Sequence, residues 1–191
     1  PAFEDYMAGL SRKTRQTLRR KLARFNREYG DSMRLVTDPG DVDWFLAAGE
    51  KISRKTYQWK VGQKLRFDDP TRNTYIANAR AGTLRCYMLM ANGEPIAFVR
   101  GNIRNGVYDY ETPGYDPRYQ EASPGTVLLL KVFEDLITNT DCRVFDFGIG
   151  GDYLGYKKVL GNRSYECSFL EVGRRRSPYP MLLFGIQDAL N

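Results

Sequence analysis

Asn-Gly occurs at positions 92–93 and again at 105–106, each time between runs rich in apolar and alternating residues. Both residue types tolerate positive φ, which the two central positions of a type I′ turn require. The flanking runs therefore read as three strands, Leu84 to Ala91, Pro95 to Ile103 and Val107 to Thr112. Strands joined by turns this short must be antiparallel neighbours. An antiparallel meander thus sits in the middle of the chain, and everything else has to pack on it.

Before the meander, Ser11 reads as a helix N-cap and Gly30 as a helix stop. Thr14, Leu18, Leu22, Phe25 and Tyr29 recur between them at helical spacing and form one apolar stripe. The other faces carry Arg12, Lys13, Arg15, Arg19, Arg20, Lys21, Arg24 and Arg27. Such a face either follows the phosphates of an RNA or another anionic ligand, or simply faces water. Met33 to Thr37 reads as a strand, and Asp38-Pro39-Gly40-Asp41 as a turn and cap. A helix bearing Val42, Phe45, Leu46 and Ile52 then runs to about Tyr57. Ser53 to Lys60 mixes bases and aromatics, which suits either a cleft wall or a helix end that packs Trp59 on the core. A further helix spans Asp69 or Pro70 to Ala81, with Tyr75, Ile76 and Ala79 inward.

After the meander, Ser123 suits an N-cap, Pro124 the first helical position, and Gly125 and Thr126 leave backbone N–H groups uncovered. A bare helix N-terminus favours a bound anion such as a phosphate. Val127 to Leu130, Val132, Phe133, Leu136 and Ile137 are apolar on too many sides for a surface helix, so this one is expected to be buried. Val144 to Phe147 reads as a short central strand, ending in a glycine loop (Gly148, Gly150, Gly151) that carries Asp152, Tyr156 and Lys157. Ser164 to Val172 is expected to complete the sheet, with a basic linker and a short apolar helix over residues 174–191.

The 191 residues fit one domain, or one half of a larger pair, and a hydrophobic fraction of 42% suffices for a core. A net charge of +6 points to an anionic partner or a basic face. The chain has no histidine, which excludes Ser-His-Asp and Cys-His catalysis and most zinc sites. No metal site is expected. Cys86, Cys142 and Cys167 follow neither a disulfide nor a metal spacing and read as reduced thiols of a cytoplasmic protein. No apolar run is long enough to span a membrane. The opening at Pro1, without methionine, suggests a fragment of a longer chain or a processed one.

Pro124-Gly125, Asp146-Phe147-Gly148, Gly151-Asp152 and Tyr156-Lys157 together resemble the GNAT-fold acyltransferases of the CelD/BcsL-like family, relatives of the FemABX peptidyltransferases. The resemblance takes in the basic first helix and Tyr115-Asp116-Pro117, and so covers residues 6–172. It implies a mixed α/β fold, mostly an antiparallel twisted sheet flanked by helices, with a GNAT-like domain over residues 1–173. Full-length members resemble two tandem halves, which would make this chain a C-terminal half with a GNAT-like partner before it.

The resemblance also implies a chemistry: acyl transfer from acetyl-CoA or another acyl-CoA to a small-molecule amine, or, alternatively, from aminoacyl-tRNA, whose phosphates the basic helix would meet. A non-catalytic binding module of the same fold is the third reading. Ser123, Pro124, Gly125 and Thr126 would hold the carrier phosphates, although the usual GNAT loop, Arg/Gln-x-x-Gly-x-Gly/Ala, is absent. Lys157, beside Tyr156, would stabilise the developing oxyanion. Glu111 is a candidate base for the acceptor amine, or else an exposed edge carboxylate. Tyr110, Asp152 and Asp146 are candidate substrate contacts, and Asp146 either bonds amides of the glycine loop or acts as a base.

Overall fold

A computed structural model of the chain describes residues 2–30, 32–60, 62, 64–148 and 155–166. The chain divides into a unit spanning Pro1–Leu160 and a second spanning Gly161–Asn191. Within the second, residues 161–166 contain no helix or strand. Asp152, Cys167, the rest of the expected last strand and the expected terminal helix lie outside the described residues.

In the first unit a short helix α1 (Phe3–Gly9) precedes α2 (Arg12–Tyr29). The Ser11 side chain accepts from the Thr14 N–H, so the expected cap forms, and Gly30 ends α2 at φ +88. Then come β1 (Met33–Val36), α3 (Val42–Ser53), α4 (Tyr57–Lys60) and α5 (Asp69–Arg80). The helix expected to reach about Tyr57 thus ends at Ser53, and a separate short helix starts at Tyr57. The meander is β2 (Cys86–Ala91), β3 (Glu94–Arg104) and β4 (Val107–Tyr115). Asn92 and Asn105 have φ of 51 and 53, with Gly93 and Gly106 at 83 and 75, as type I′ turns demand. α6 (Pro124–Asn139), β5 (Val144–Asp146) and α7 (Gly155–Leu160) complete the unit.

The sheet order is β1-β2-β3-β4-β5. Every pairing is antiparallel except β4 with β5, which is parallel because α6 carries the chain back across the sheet. The strand expected to be central, β5, stands at one edge of the described sheet, opposite β1, and Val144 on it is exposed.

Strand side chains alternate between two cores, one on each face. Tyr87, Leu89, Ala97 and Val99 pack with Phe25 of α2 and with Val127, Leu128 and Val132 of α6. Cys86, Met88 and Phe98 point the other way, onto Phe45, Leu46, Tyr75 and Ala79 of α3 and α5. Helices therefore cover both faces, and the mixed α/β architecture is the expected one.

β4 runs three residues past its expected end, through Pro113 and Gly114. Pairing slips by one residue there: Gly101 faces Tyr110 but Val99 faces Pro113, which leaves an extra residue in the Glu111-Thr112 stretch. Beyond Asp109, β4 has no neighbour on its β5 side among the described residues. A proline N–H is not missed where no strand waits to accept it.

Candidate active site

β4 and β5 pair only over Val107–Asp109 and Val144–Asp146 and then part. An open cleft of about 1180 Å³ lies in the resulting gap. The far part of β4, from Tyr110 to Tyr115, forms one wall. Ser123 to Thr126 at the start of α6 form another, and Phe147, Gly148, Tyr156 and Lys157 close a third side. Residues separated by the whole of α6 in sequence are brought to one cavity by the crossover.

The α6 terminus differs from expectation in detail. Ser123 adopts a left-handed conformation (φ 53, ψ 48), and its side chain makes no cap hydrogen bond. Its carbonyl accepts instead from Thr126 N–H at 3.0 Å and Val127 N–H at 3.1 Å. The Thr126 N–H is therefore engaged. Pro124 has none to offer, and the Gly125 N–H reaches no acceptor among the described residues. Gly125 is exposed to the cleft, and a Cβ there would come no nearer than 3.6 Å to Tyr115.

On the opposite side, the Lys157 ammonium donates to the carbonyl oxygens of Phe147 at 2.6 Å and Gly148 at 3.4 Å. Burial pulls the Lys157 pKa down from the ordinary lysine value, and the Asp146 charge opposes that shift. Asp146 itself accepts from the Gly148 N–H at 2.7 Å, the amide bond that makes a carboxylate at the end of β5 tolerable. It does not line the cleft. Tyr110 and Tyr156 share a hydrogen bond, and burial pushes the Tyr110 hydroxyl well above its usual value. Phe147 lies between them, 5.8 Å from the Tyr110 ring and 6.2 Å from that of Tyr156.

Glu111 lines the cleft, but its carboxylate is already engaged. Arg100 Nε lies 2.6 Å from one oxygen, and the Asn102 amide donates to the other at 2.7 Å. Of the mixed basic-aromatic segment, Trp59 sits beneath the Arg54 guanidinium at 4.7 Å, and it is Lys64, beyond that segment, that lines the cleft. Among the described residues no group of acidic or sulfur side chains could hold a metal ion.

The sequence also missed part of the wall. Lys13, Thr14, Thr17 and Lys21 of α2 line the cleft, whereas Arg15 and Arg19 do not. Arg15 donates to the carbonyls of Met7, Ala8 and Leu10, and so closes the C-terminus of α1. Arg19 pairs with Glu4. The spacing i, i+4, i+8 of Lys13, Thr17 and Lys21 was a usable signal, since it puts them on one helix face.

The fold has many solved relatives of low sequence identity. FemX superposes with a TM-score of 0.58 at 10% identity, over 84% of this chain and 56% of that one. The aminoglycoside acetyltransferase AAC(6')-Iy, solved with a bisubstrate analogue of CoA and acetylneamine, gives 0.53 at 16% identity, over 75% of this chain and 99% of that one. The C-terminal domain of a putative lysylphosphatidylglycerol synthetase from Agrobacterium fabrum gives 0.53 at 15%, over 79% of this chain and 47% of that one. The chain thus spans about half of two of these three structures. No curated protein matches the sequence. The acetyltransferase (GNAT) domain family does match it, over residues 12–158, which contain the meander, α6 and the Tyr156-Lys157 pair, and the chain belongs to that family.

Proposed function

We propose that the chain is an N-acyltransferase that moves an acyl group from acyl-CoA to an amine. The observation that carries this reading is the single open cleft shared by the exposed Gly125 N–H and the Lys157 ammonium. The first is suited to a phosphate of the carrier, because the helix N-terminus concentrates positive potential there. The second is suited to the carbonyl oxygen as it gains charge in the tetrahedral transition state. Tyr156, tied to Tyr110, shapes the wall beside that oxygen. Glu111, on the same wall, is the candidate base for the acceptor amine, with its two oxygens oriented by Arg100 and Asn102. A cleft left open, rather than filled by side chains, favours an enzyme over a binding module of the same fold.

A second reading keeps the transfer and changes the donor to aminoacyl-tRNA, as in a FemABX-type enzyme. The lysines that line the cleft support it, and a preceding GNAT-like half would belong to the same reading.

Calorimetric titration with acetyl-CoA, and with CoA alongside, tests the donor. Saturable binding that is lost in Gly125→Glu supports the CoA enzyme, since the new carboxylate enters the cleft without a steric clash at Cβ. A folded wild-type chain that binds neither compound removes the CoA donor.

A further inference from the structure

Two groups stand apart among the basic residues of α2. Arg15, Arg19 and Arg24 are engaged within the fold, by the last carbonyls of α1, by Glu4 and by Glu28 respectively. Lys13 and Lys21 line the cleft, and among the described residues neither has a carboxylate partner. Thr17 lies between them on the same face, one turn from each. Lys64 faces them from the segment after α4, held near the Trp59 ring at 5.3 Å. With Lys157, four lysines and, among the described residues, one carboxylate, Glu111, line the cleft, and Arg100 already pairs Glu111. Like charges gathered around a shared cavity repel one another unless a ligand answers them.

The direction of the stripe is set by packing. Tyr29, at the C-terminal end of α2, packs edge-on against Tyr119 at 5.6 Å, in the turn that leads into α6. Leu18 shares a cluster with Met7 of α1, Phe133 of α6 and Leu160 of α7. Lys21 is therefore the lysine nearer Gly125, and Lys13 the one nearer α7. Eight residues of helix separate them by about 12 Å.

We infer that Lys13, Thr17 and Lys21 form a second phosphate-binding wall, which takes nucleotide phosphates of the CoA-type carrier while the start of α6 takes another. This rests on the acyl-CoA reading above and adds which surface holds the carrier. The structure favours a small polyphosphate carrier over an RNA for two reasons. The basic side chains sit inside a cleft of cofactor size. Of the arginines that would extend a positive track over the outside of α2, Arg19 and Arg24 are paired with Glu4 and Glu28.

The test is calorimetric binding of CoA, 3′-dephospho-CoA and phosphate-free pantetheine to the wild-type chain and to a Lys13→Gln/Lys21→Gln variant, each at two salt concentrations. An RNA hairpin is run alongside. Circular dichroism checks the fold, and Arg20→Gln on the same helix serves as a charge control. The expected result is CoA binding weakened about tenfold in the double variant, with a smaller salt dependence and no change for pantetheine or in the control. Equal CoA binding and equal salt dependence in wild type and double variant overturn the wall alone and leave the donor reading standing. No CoA binding by the wild type overturns the donor reading and the wall with it. Hairpin binding without CoA binding overturns the small-carrier assignment in favour of a nucleic-acid carrier.

Discussion

The Lys157 ammonium donates to the main-chain oxygen of Phe147 at 2.6 Å and so fastens the first turn of α7 to the end of β5. A lysine anchored in this way keeps its charge at a fixed point of the cleft wall, as a group that stabilises an oxyanion must. Lys157→Ala is expected to lower kcat on the order of a hundredfold or more, with far-UV circular dichroism unchanged. Wild-type turnover in that variant would remove Lys157 from the chemistry.

The same lysine predicts a pH profile. Burial lowers its pKa below the ordinary lysine value, and Asp146 partly offsets this. The charged form exists below that pKa, so activity that depends on it declines as pH rises through the lowered value, earlier than for an exposed lysine. Asp146→Asn removes the offsetting charge, and the alkaline limb of kcat/KM is expected to move to lower pH. A limb that stays in place or moves up contradicts the coupling.

Asp116 is 1% exposed and is met by Lys55 at 2.6 Å and Arg118 at 2.8 Å. Burial works against its ionisation, but hydrogen bonds from Arg118 and Lys55 outweigh it and hold the carboxyl far below the usual range. A depressed folded pKa stabilises the fold above the unfolded carboxylate value of about 4, and the contribution fades as pH falls below it. Asp116→Asn should therefore cost about 1.5–3 kcal/mol at pH 7 in urea unfolding, and less at pH 3. An equal cost at both pH values would mean that the charge is not what holds the two cations.

Gly101 lies so close to the Tyr108 ring that an added Cβ would overlap it. Tyr108 is fully buried and its hydroxyl donates to the Arg85 carbonyl, so it has no room to retreat. Gly101→Ala is expected to destabilise the fold by about 1–3 kcal/mol. Gly9→Ala, with open space at its Cβ, should stay within about 0.5 kcal/mol. Denaturant midpoints of the two variants make the comparison.

Burial pushes the Cys86 thiol up to about 12, whereas Cys142 is only half-buried. Native protein treated with iodoacetamide at pH 8 should be alkylated at Cys142 well before Cys86, by peptide mass analysis. The reverse order would show that the core around β2 opens readily.

The sequence by itself determined the parts governed by local backbone preference and by periodicity. Two Asn-Gly pairs could adopt positive φ in succession, so the meander and its order were legible. Ser11 and Gly30 bounded α2, and the apolar run from Val127 announced a buried helix. Helix α1 was not legible, because seven residues with Phe3, Tyr6 and Met7 on one side give too short a period to read. β4 beyond Thr112 was hidden by Pro113, which a strand admits only where its outer edge is unpaired, and that depends on where β5 ends. The tertiary structure alone decided that β5 lies at one edge of the described sheet, that Ser123 turns left-handed rather than capping, and that Lys13 and Lys21, not Arg15 and Arg19, meet the cleft. A helix carries basic residues on several faces, and the neighbours that select a face (α1, α6 and α7 here) lie up to the full length of the unit away in sequence. Turn chemistry is a property of two adjacent residues, whereas a cleft belongs to elements that meet only after folding.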